Sequence, residues 1–216
     1  MSTEERSAIG HERYAALVLK RLLDVLTCSL ILLVLMPMLA VLALIVKLSS
    51  VGPALFIQER VGLNGRPFRM VKFRTMTGIP RPNQTDWSAA EESRITRVGR
   101  FLRAFGLDEL PQLLNIIRGD MSIIGPRPPL PAQVRSFTDD ERRMLLMRPG
   151  VTGLSAVRGR YSLSYEERKL RNVEYVDRWS LGLDAGILLK TVGVVLRRRN
   201  AVESDVVPAG RLRART

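Results

Sequence analysis

A chain of 216 residues with 46% apolar content is long enough for one packed domain with appendages and excludes a disordered protein. Its 34 lysines and arginines outnumber 21 acidic residues, and the net charge of +13 points to anionic partners: nucleic acid, phospholipid headgroups or a phosphorylated substrate. The single cysteine, Cys28, and the single histidine, His11, exclude an intramolecular disulfide and a zinc cluster.

Residues 1–12 are mixed and polar, which predicts a flexible N-terminus. From Val25 to Val46 no residue is charged, a run that would cover roughly 30 Å of hydrocarbon as one helix. It is too long for a cleaved signal peptide and no small-residue cleavage pattern closes it, so it is expected to stay in the mature chain. Lys20 and Arg21 precede it, and Lys47 follows with Arg60, Arg66, Arg69, Lys72 and Arg74 beyond. Basic flanks favour the cytoplasm, and a simple span would put one flank outside. Pro37 offers a way out, because an interior proline removes a hydrogen bond and bends a helix. A re-entrant helix that breaks at Met36-Pro37 and returns to the same face satisfies both flanks. A single-pass helix with a proline kink is the alternative, since kinks are tolerated in true spans.

Two short strands are predicted next, near 54–61 and 67–75, joined at Asn64-Gly65, a strong hairpin signal. Lys72 and Arg74 then share a face of the second strand, as solvated cations, lipid contacts or site residues. The stretch 78–90 is rich in turn formers and reads as a loop. Arg94, Arg97, Arg100 and Arg103 recur every third residue, a basic stripe if the segment is helical, most of it suited to the membrane surface and Arg103 nearest the acidic pair that follows.

That pair is Asp108-Glu109 in "GLDELPQLLN". Both carboxylates could simply start a helix over 109–118 with Leu110, Leu113, Leu114 and Ile117 inward. With Asp108 as the cap, however, the third helical position is Pro111, which has no N–H to donate, so a carboxylate less occupied by capping is freer for chemistry. Prolines around Arg127 in "GPRPPLP" stiffen its loop, suiting either a phosphate clamp or an ordinary surface turn. Further helices are expected near 138–147, from the capping box Ser164-Glu167 to about Trp179, and from Ser180 onward. In the last, Ile187, Leu188, Leu189, Val192, Val195 and Leu196 make an apolar stripe suited to the membrane interface or to the core. Residues 200–216 are polar and basic, predicted to be a disordered tail.

Several blocks, "KRLLD" before the apolar run, "ERVGLNGRPFRMVKFRTM", "LDELPQLLNIIRGDMSIIGPRPPLP", "RPGVTGL" and "YVDRWSLGLDAGILLKTVGVVL", together closely resemble the bacterial sugar transferases. More narrowly, they resemble the monotopic polyprenyl-phosphate phosphoglycosyl transferases, in order from about Lys20 to Leu196. The resemblance implies an α+β, mostly helical fold. It comprises a re-entrant membrane helix over 13–48 broken at Pro37, a short β-hairpin, and amphipathic interfacial helices around a small catalytic core over 49–199. It implies a location on the cytoplasmic face of the bacterial inner membrane and the minimal form of the family, without additional N-terminal membrane helices. The implied reaction moves a sugar 1-phosphate from a UDP-sugar to undecaprenyl phosphate, releasing UMP through a covalent intermediate on Asp108. Glu109 would position the metal or the acceptor, Mg²⁺ would touch Asp108, and Lys72, Arg103 and Arg127 would hold phosphates. Anionic lipids are expected partners, nucleic acid is not, and a homo-oligomer is allowed. Met36 where many members have Ser, Tyr161 where they often have Asn, and Asn172 where they have an acidic residue depart from the pattern. The rival reading is a membrane-tethered basic nucleic-acid-binding or scaffold protein without catalysis. Its support is net charge alone, with 6% aromatics and no nucleic-acid motif.

Overall fold

The computed structural model describes residues 11–78, 92–159 and 163–196. The expectations for the extreme N-terminus, for most of the 78–90 loop, for Tyr161 and for the 200–216 tail concern residues outside these.

Helix α1, His11–Ser49, is 39 residues long with Pro37 inside it, and helical assignment runs through the proline without ending there. It is the one helix among the described residues long and apolar enough to cross a membrane. Leu26, Leu30, Leu33, Val34, Met36 and Leu44 are each more than half exposed. A stripe of this size has no stable place in water, which separates α1 from the core helix of a soluble protein and calls for lipid. Only its two arms are covered. Cys28 is buried with Met70, Ile116 and Met121, whereas Val46 is buried with Phe73 and Leu102.

Strands β1, Leu55–Val61, and β2, Pro67–Phe73, pair antiparallel around a tight turn in which Asn64 takes the left-handed conformation (φ 54°) and Gly65 follows at φ 75°. Asn and Gly tolerate that region best, so the predicted hairpin forms for the predicted reason. Helix α2, Arg97–Phe105, is capped by the Thr96 side chain and ends at Gly106 in the left-handed conformation. Arg97 and Arg100 are exposed and Arg103 is half-buried.

A correction follows at the acidic pair. The chain enters a 3-10 turn, Leu107–Gln112, and then α3, Leu113–Arg118. Asp108 lies within the first turn and is not a cap, because Gly106 already occupies that position. The inward residues of this segment also differ from the expected leucines: Pro111, Gln112, Asn115 and Ile116 are buried, and Leu110, Leu113, Leu114 and Ile117 are half-buried. The 3-10 turn advances fewer residues per turn than an α-helix and rotates the buried face accordingly.

The remainder holds a second sheet the sequence reading lacked: β3, Ser122–Ile124, runs parallel to β4, Gly150–Thr152. A Cβ at Gly125 would collide with the Arg148 and Gly150 backbones, so glycine alone permits this approach. Short helices α4, Pro131–Val134, α5, Asp139–Arg142, and α6, Leu154–Val157, punctuate the loops. The helix expected near 138–147 is α5 followed by a 3-10 turn, Arg143–Leu146. Helix α7, Tyr165–Asp177, carries the expected Ser164-Glu167 capping box. Helix α8, Leu181–Leu196, begins with Ser180 Oγ accepting from Leu183 N at 3.1 Å. Of its apolar stripe Ile187 is buried, but Leu188, Leu189 and Val192 are exposed, so the helix packs by one edge and offers the other to its surroundings.

Candidate active site

The hairpin supplies the floor. Register pairs Phe56 with Lys72, Gln58 with Met70 and Arg60 with Phe68, so the even-numbered residues of both strands share one side, and β2 packs against the 3-10 turn bearing Asp108 and Glu109. Asn115, wholly buried on α3, which continues from that turn, ties α3 to β2: its Oδ1 accepts from Val71 N at 3.0 Å and its Nδ2 donates to Arg69 O at 2.7 Å.

Asp108 is buried. Burial first, and then the neighbouring Glu109 charge, raise its pKa, against the pull of Lys72, Arg103 and its own backbone N–H. Lys72 has its ammonium 5.2 Å from the centre of the Phe56 ring. Burial pushes it down to about 8, with Arg60 and Arg127 adding to the depression and Asp108 and Glu109 opposing it. Lys72 thus feels Asp108, Glu109, Arg60 and Arg127, while Arg103 acts on Asp108 from the last turn of α2. Arg127 has its backbone N–H donated to Asn172 Oδ1 at 3.3 Å. Asn172 is buried and also accepts from Ser155 Oγ at 3.1 Å, so this departure from the family pattern sits behind the Arg127 loop. Pro37 lies inside α1.

Arg60, which the sequence reading places only among the basic flank residues, lies on the same side of the hairpin as Lys72. Its Nη1 donates to Pro128 O at 3.0 Å and its Nη2 to Gln58 Oε1 at 2.7 Å, while Nε is buried with no hydrogen-bond partner among the described residues. Burial and the Arg127 charge lower its pKa to about 9. A half-buried guanidinium bonded to neutral oxygens, with its Nε buried, has room for the counter-charge that an anionic ligand would supply. The signal was present in the sequence: once Asn64-Gly65 sets the register, Arg60 falls on the Lys72 side of the hairpin.

A cavity of about 300 Å³ adjoins the site. Glu109 and Arg127 reach into it, as do Cys28 and Ile31 of α1 and the backbone around β4. No group of three or more His, Cys, Asp or Glu side chains suited to a metal occurs among the described residues. Asp108 and Glu109 therefore provide no closed cage. Two adjacent carboxylates do fit Mg²⁺, which takes one or two and completes its shell with water and substrate phosphates.

Asp108 is thus a buried aspartate on which Lys72 and Arg103 act, and its neighbour Glu109 lines a cavity that residues of the apolar helix α1 also line. Comparison with known proteins gives the class of the protein. The family model for bacterial sugar transferases matches residues 15–198. A UDP-glucose:undecaprenyl-phosphate glucose-1-phosphate transferase of Caulobacter vibrioides is 42% identical over 88% of this chain and 74% of its own length. An uncharacterised sugar transferase of Bacillus subtilis is 39% identical over 90% of this chain and 96% of its own. A UDP-galactose-lipid carrier transferase of Erwinia amylovora is 38% identical over 88% of this chain but only 43% of its own length. The chain belongs to the bacterial sugar transferase family.

Proposed function

We propose that this chain transfers a sugar 1-phosphate from a UDP-sugar to undecaprenyl phosphate on the cytoplasmic face of a bacterial inner membrane, initiating assembly of a membrane glycoconjugate or exopolysaccharide. Relatives in Caulobacter vibrioides and Salmonella typhimurium carry names for this reaction with glucose and galactose. The observation that carries the reading is Asp108, a buried carboxylate beside Glu109 on which Lys72 and Arg103 act, with Arg60 and Arg127 acting in turn on Lys72.

In this reading a carboxylate oxygen of Asp108 attacks the sugar-bearing phosphorus of the UDP-sugar. The bond from that phosphorus to the bridging oxygen breaks and UMP leaves with the electron pair. An oxygen of undecaprenyl phosphate then attacks the same phosphorus, Asp108 departs as a carboxylate, and the sugar remains on a polyprenyl diphosphate. A two-step route lets a water-soluble donor and a lipid acceptor use one nucleophile in turn. A carboxylate approaching a diphosphate is repelled, and the cations of the site offset that repulsion. Asp108 and Glu109 would hold Mg²⁺, which would supply charge neutralisation on phosphate oxygens. Burial destabilises the Asp108 anion and so strengthens it as a nucleophile.

The anchor reading assigns 13–48 to the re-entrant helix and 49–199 to the catalytic domain. Its support is that both arms of α1 pack on one body. A straight helix would separate Cys28 from Val46 by about 27 Å, yet their buried clusters include Met70 and Phe73, three residues apart on one strand. A bend at Pro37 accommodates this. Exposed Arg97, Arg100 and Phe101 on α2 suit contact with anionic lipid. The test is to incubate purified protein with undecaprenyl phosphate, Mg²⁺ and a panel of UDP-sugars and measure UMP. Release with at least one sugar is expected, and release with none would refute the reading.

A further inference from the structure

We propose that Asn172 is a positioning residue for phosphate recognition: its amide oxygen fixes the main chain that presents Arg127 to the diphosphate of the nucleotide sugar. The inference rests on the phosphoglycosyl-transfer reading, in which Arg127 meets a substrate phosphate, and adds to it a residue that acts only through Arg127.

The loop around Arg127 has a buried mount and an exposed head. Among residues 121–130 Arg127 alone is exposed, and Pro126, Pro128 and Pro129 on either side of it are buried. Each of these prolines has a fixed φ and no N–H. Their carbonyl oxygens are all held. Pro126 O accepts from the Gly150 N–H at 2.9 Å, Pro128 O from Arg60 Nη1 at 3.0 Å and Pro129 O from the Val61 N–H at 3.0 Å. The Arg127 N–H is therefore the one main-chain donor that residues 126–129 possess, and Asn172 Oδ1 accepts from it at 3.3 Å. A backbone N–H can only donate, so the amide atom facing it is the oxygen.

Asn172 is itself held in place. It is 4% exposed on α7, and its Oδ1 also accepts from Ser155 Oγ, on α6, at 3.1 Å. Ser155 and Arg127 line the cavity, and Asn172 stands behind them. The other three holds on the loop come from β1 and β4, so Asn172 supplies the tie to α7. An arginine on a fixed mount loses only side-chain freedom when it meets a phosphate, whereas a loose mount must be ordered as well. The Arg127 side chain is exposed and adds no packing to the core, so what a fixed mount improves is its aim.

The test is a double-mutant cycle read by binding, with UDP and Mg²⁺ as the probe and calorimetry on the full chain in nanodiscs. Arg127→Ala removes the guanidinium and keeps the N–H. Asn172→Leu removes the acceptor at similar volume. It is expected to weaken UDP binding at least about fivefold beside Arg127 and less than about 1.5-fold in the Arg127→Ala background, because residues acting as one unit are not additive. Ser155→Ala is a milder change that frees Asn172 Oδ1 from its second donor, and it decides the matter if Asn172→Leu does not fold. Its expected loss is about twofold to fivefold, again only where Arg127 is present. Val173→Ala is the control for a weakened α7: it removes contacts with Val61, Phe137, Met144 and Leu145 and no acceptor. It should lower the melting temperature and leave UDP affinity within about twofold. Unchanged UDP affinity in Asn172→Leu, an equal loss with and without Arg127, or no UDP binding by the parent would each overturn the inference. The transfer reading fails separately. A non-additive cycle with no UMP release from any UDP-sugar would sustain the positioning role and refute transfer, and UMP release with an additive cycle would do the reverse.

Discussion

Two aspartates are buried to nearly the same degree, Asp184 at 7% and Asp108 at 8% exposure, and they do opposite things. Asp184, in the first turn of α8, accepts three hydrogen bonds: Lys20 Nζ and Tyr175 OH each donate at 2.7 Å and Trp179 Nε1 at 3.2 Å. Burial and the Asp184 charge push the Tyr175 hydroxyl far upward, so it stays protonated and keeps donating. This centre ties the N-terminal arm of α1 to the last two helices, reinforced nearby by Asp24, which accepts from Ser122 Oγ at 2.6 Å. Asp108 instead has cations around it, and its pKa is raised. A carboxylate that accepts three hydrogen bonds from buried donors holds structure, while one whose charge burial disfavours is, in the reading proposed above, the one that reacts. Burial alone does not tell them apart; the donor count does.

The largest expected effect breaks the Asp108 side of the comparison. Asp108→Asn should lower turnover by a factor on the order of 1,000 or more, since an amide is a poor nucleophile, without lowering the melting temperature. The sign follows from the raised pKa: the folded state disfavours the anion, so at neutral pH the charge costs stability and its removal does not. UMP release and a thermal melt on the same preparation check both halves.

On the other side, Asp184→Ala leaves Lys20 as a buried charge without its partner and should cost about 3–5 kcal/mol of stability. The readout is the melting temperature in detergent. An unchanged melt would show that the network contributes little to folding.

Arg60 sharpens the contrast from the cationic side. Arg60→Gln should reduce kcat/KM for the UDP-sugar roughly 10- to 100-fold, about 1.4–2.7 kcal/mol at a tenfold per 1.4 kcal/mol. Arg60→Lys should recover only part of this, because it keeps charge but cannot span both Gln58 and Pro128. Full recovery by lysine would reduce Arg60 to its charge.

The smallest effect is a pH limb. Lys72, lowered to about 8, loses its charge as pH rises through that value, so kcat/KM for the UDP-sugar should fall above about pH 8. Stability moves the other way: the folded state releases this proton before the unfolded one does, so the destabilising contribution of Lys72 is relieved between about pH 8 and the ordinary lysine range. Lys72→Arg should remove the alkaline limb from the kinetic profile.

What the sequence made legible was local. Asn64-Gly65 fixed a hairpin because its turn geometry needs those residues, and Ser164-Glu167 and Ser180 started helices through bonds spanning three positions. The acidic pair could be singled out, although its exact setting could not, because the choice between a capped α-helix and a 3-10 turn depended on Gly106 closing the preceding helix. What stayed hidden was long-range. Ser122 pairs with Gly150 in strands of three residues, too short to show a period. Lys20 and Asp184 meet across 164 positions, and neither bears a mark of the other. Asn115 reads as an ordinary polar residue on a helix until β2 is laid beside it. Arg60 lies between these cases, accessible from the hairpin register alone.

The central claim is that Asp108 becomes covalently attached to the phosphosugar. Its most direct test is to incubate the protein with the active UDP-sugar and Mg²⁺ but no lipid acceptor, quench in acid and map the protein by mass spectrometry. The account predicts UMP released in at most one equivalent and a sugar-phosphate mass on the peptide containing Asp108, lost in Asp108→Asn. UMP release that occurs only when undecaprenyl phosphate is present, with no adduct on that peptide, would contradict it.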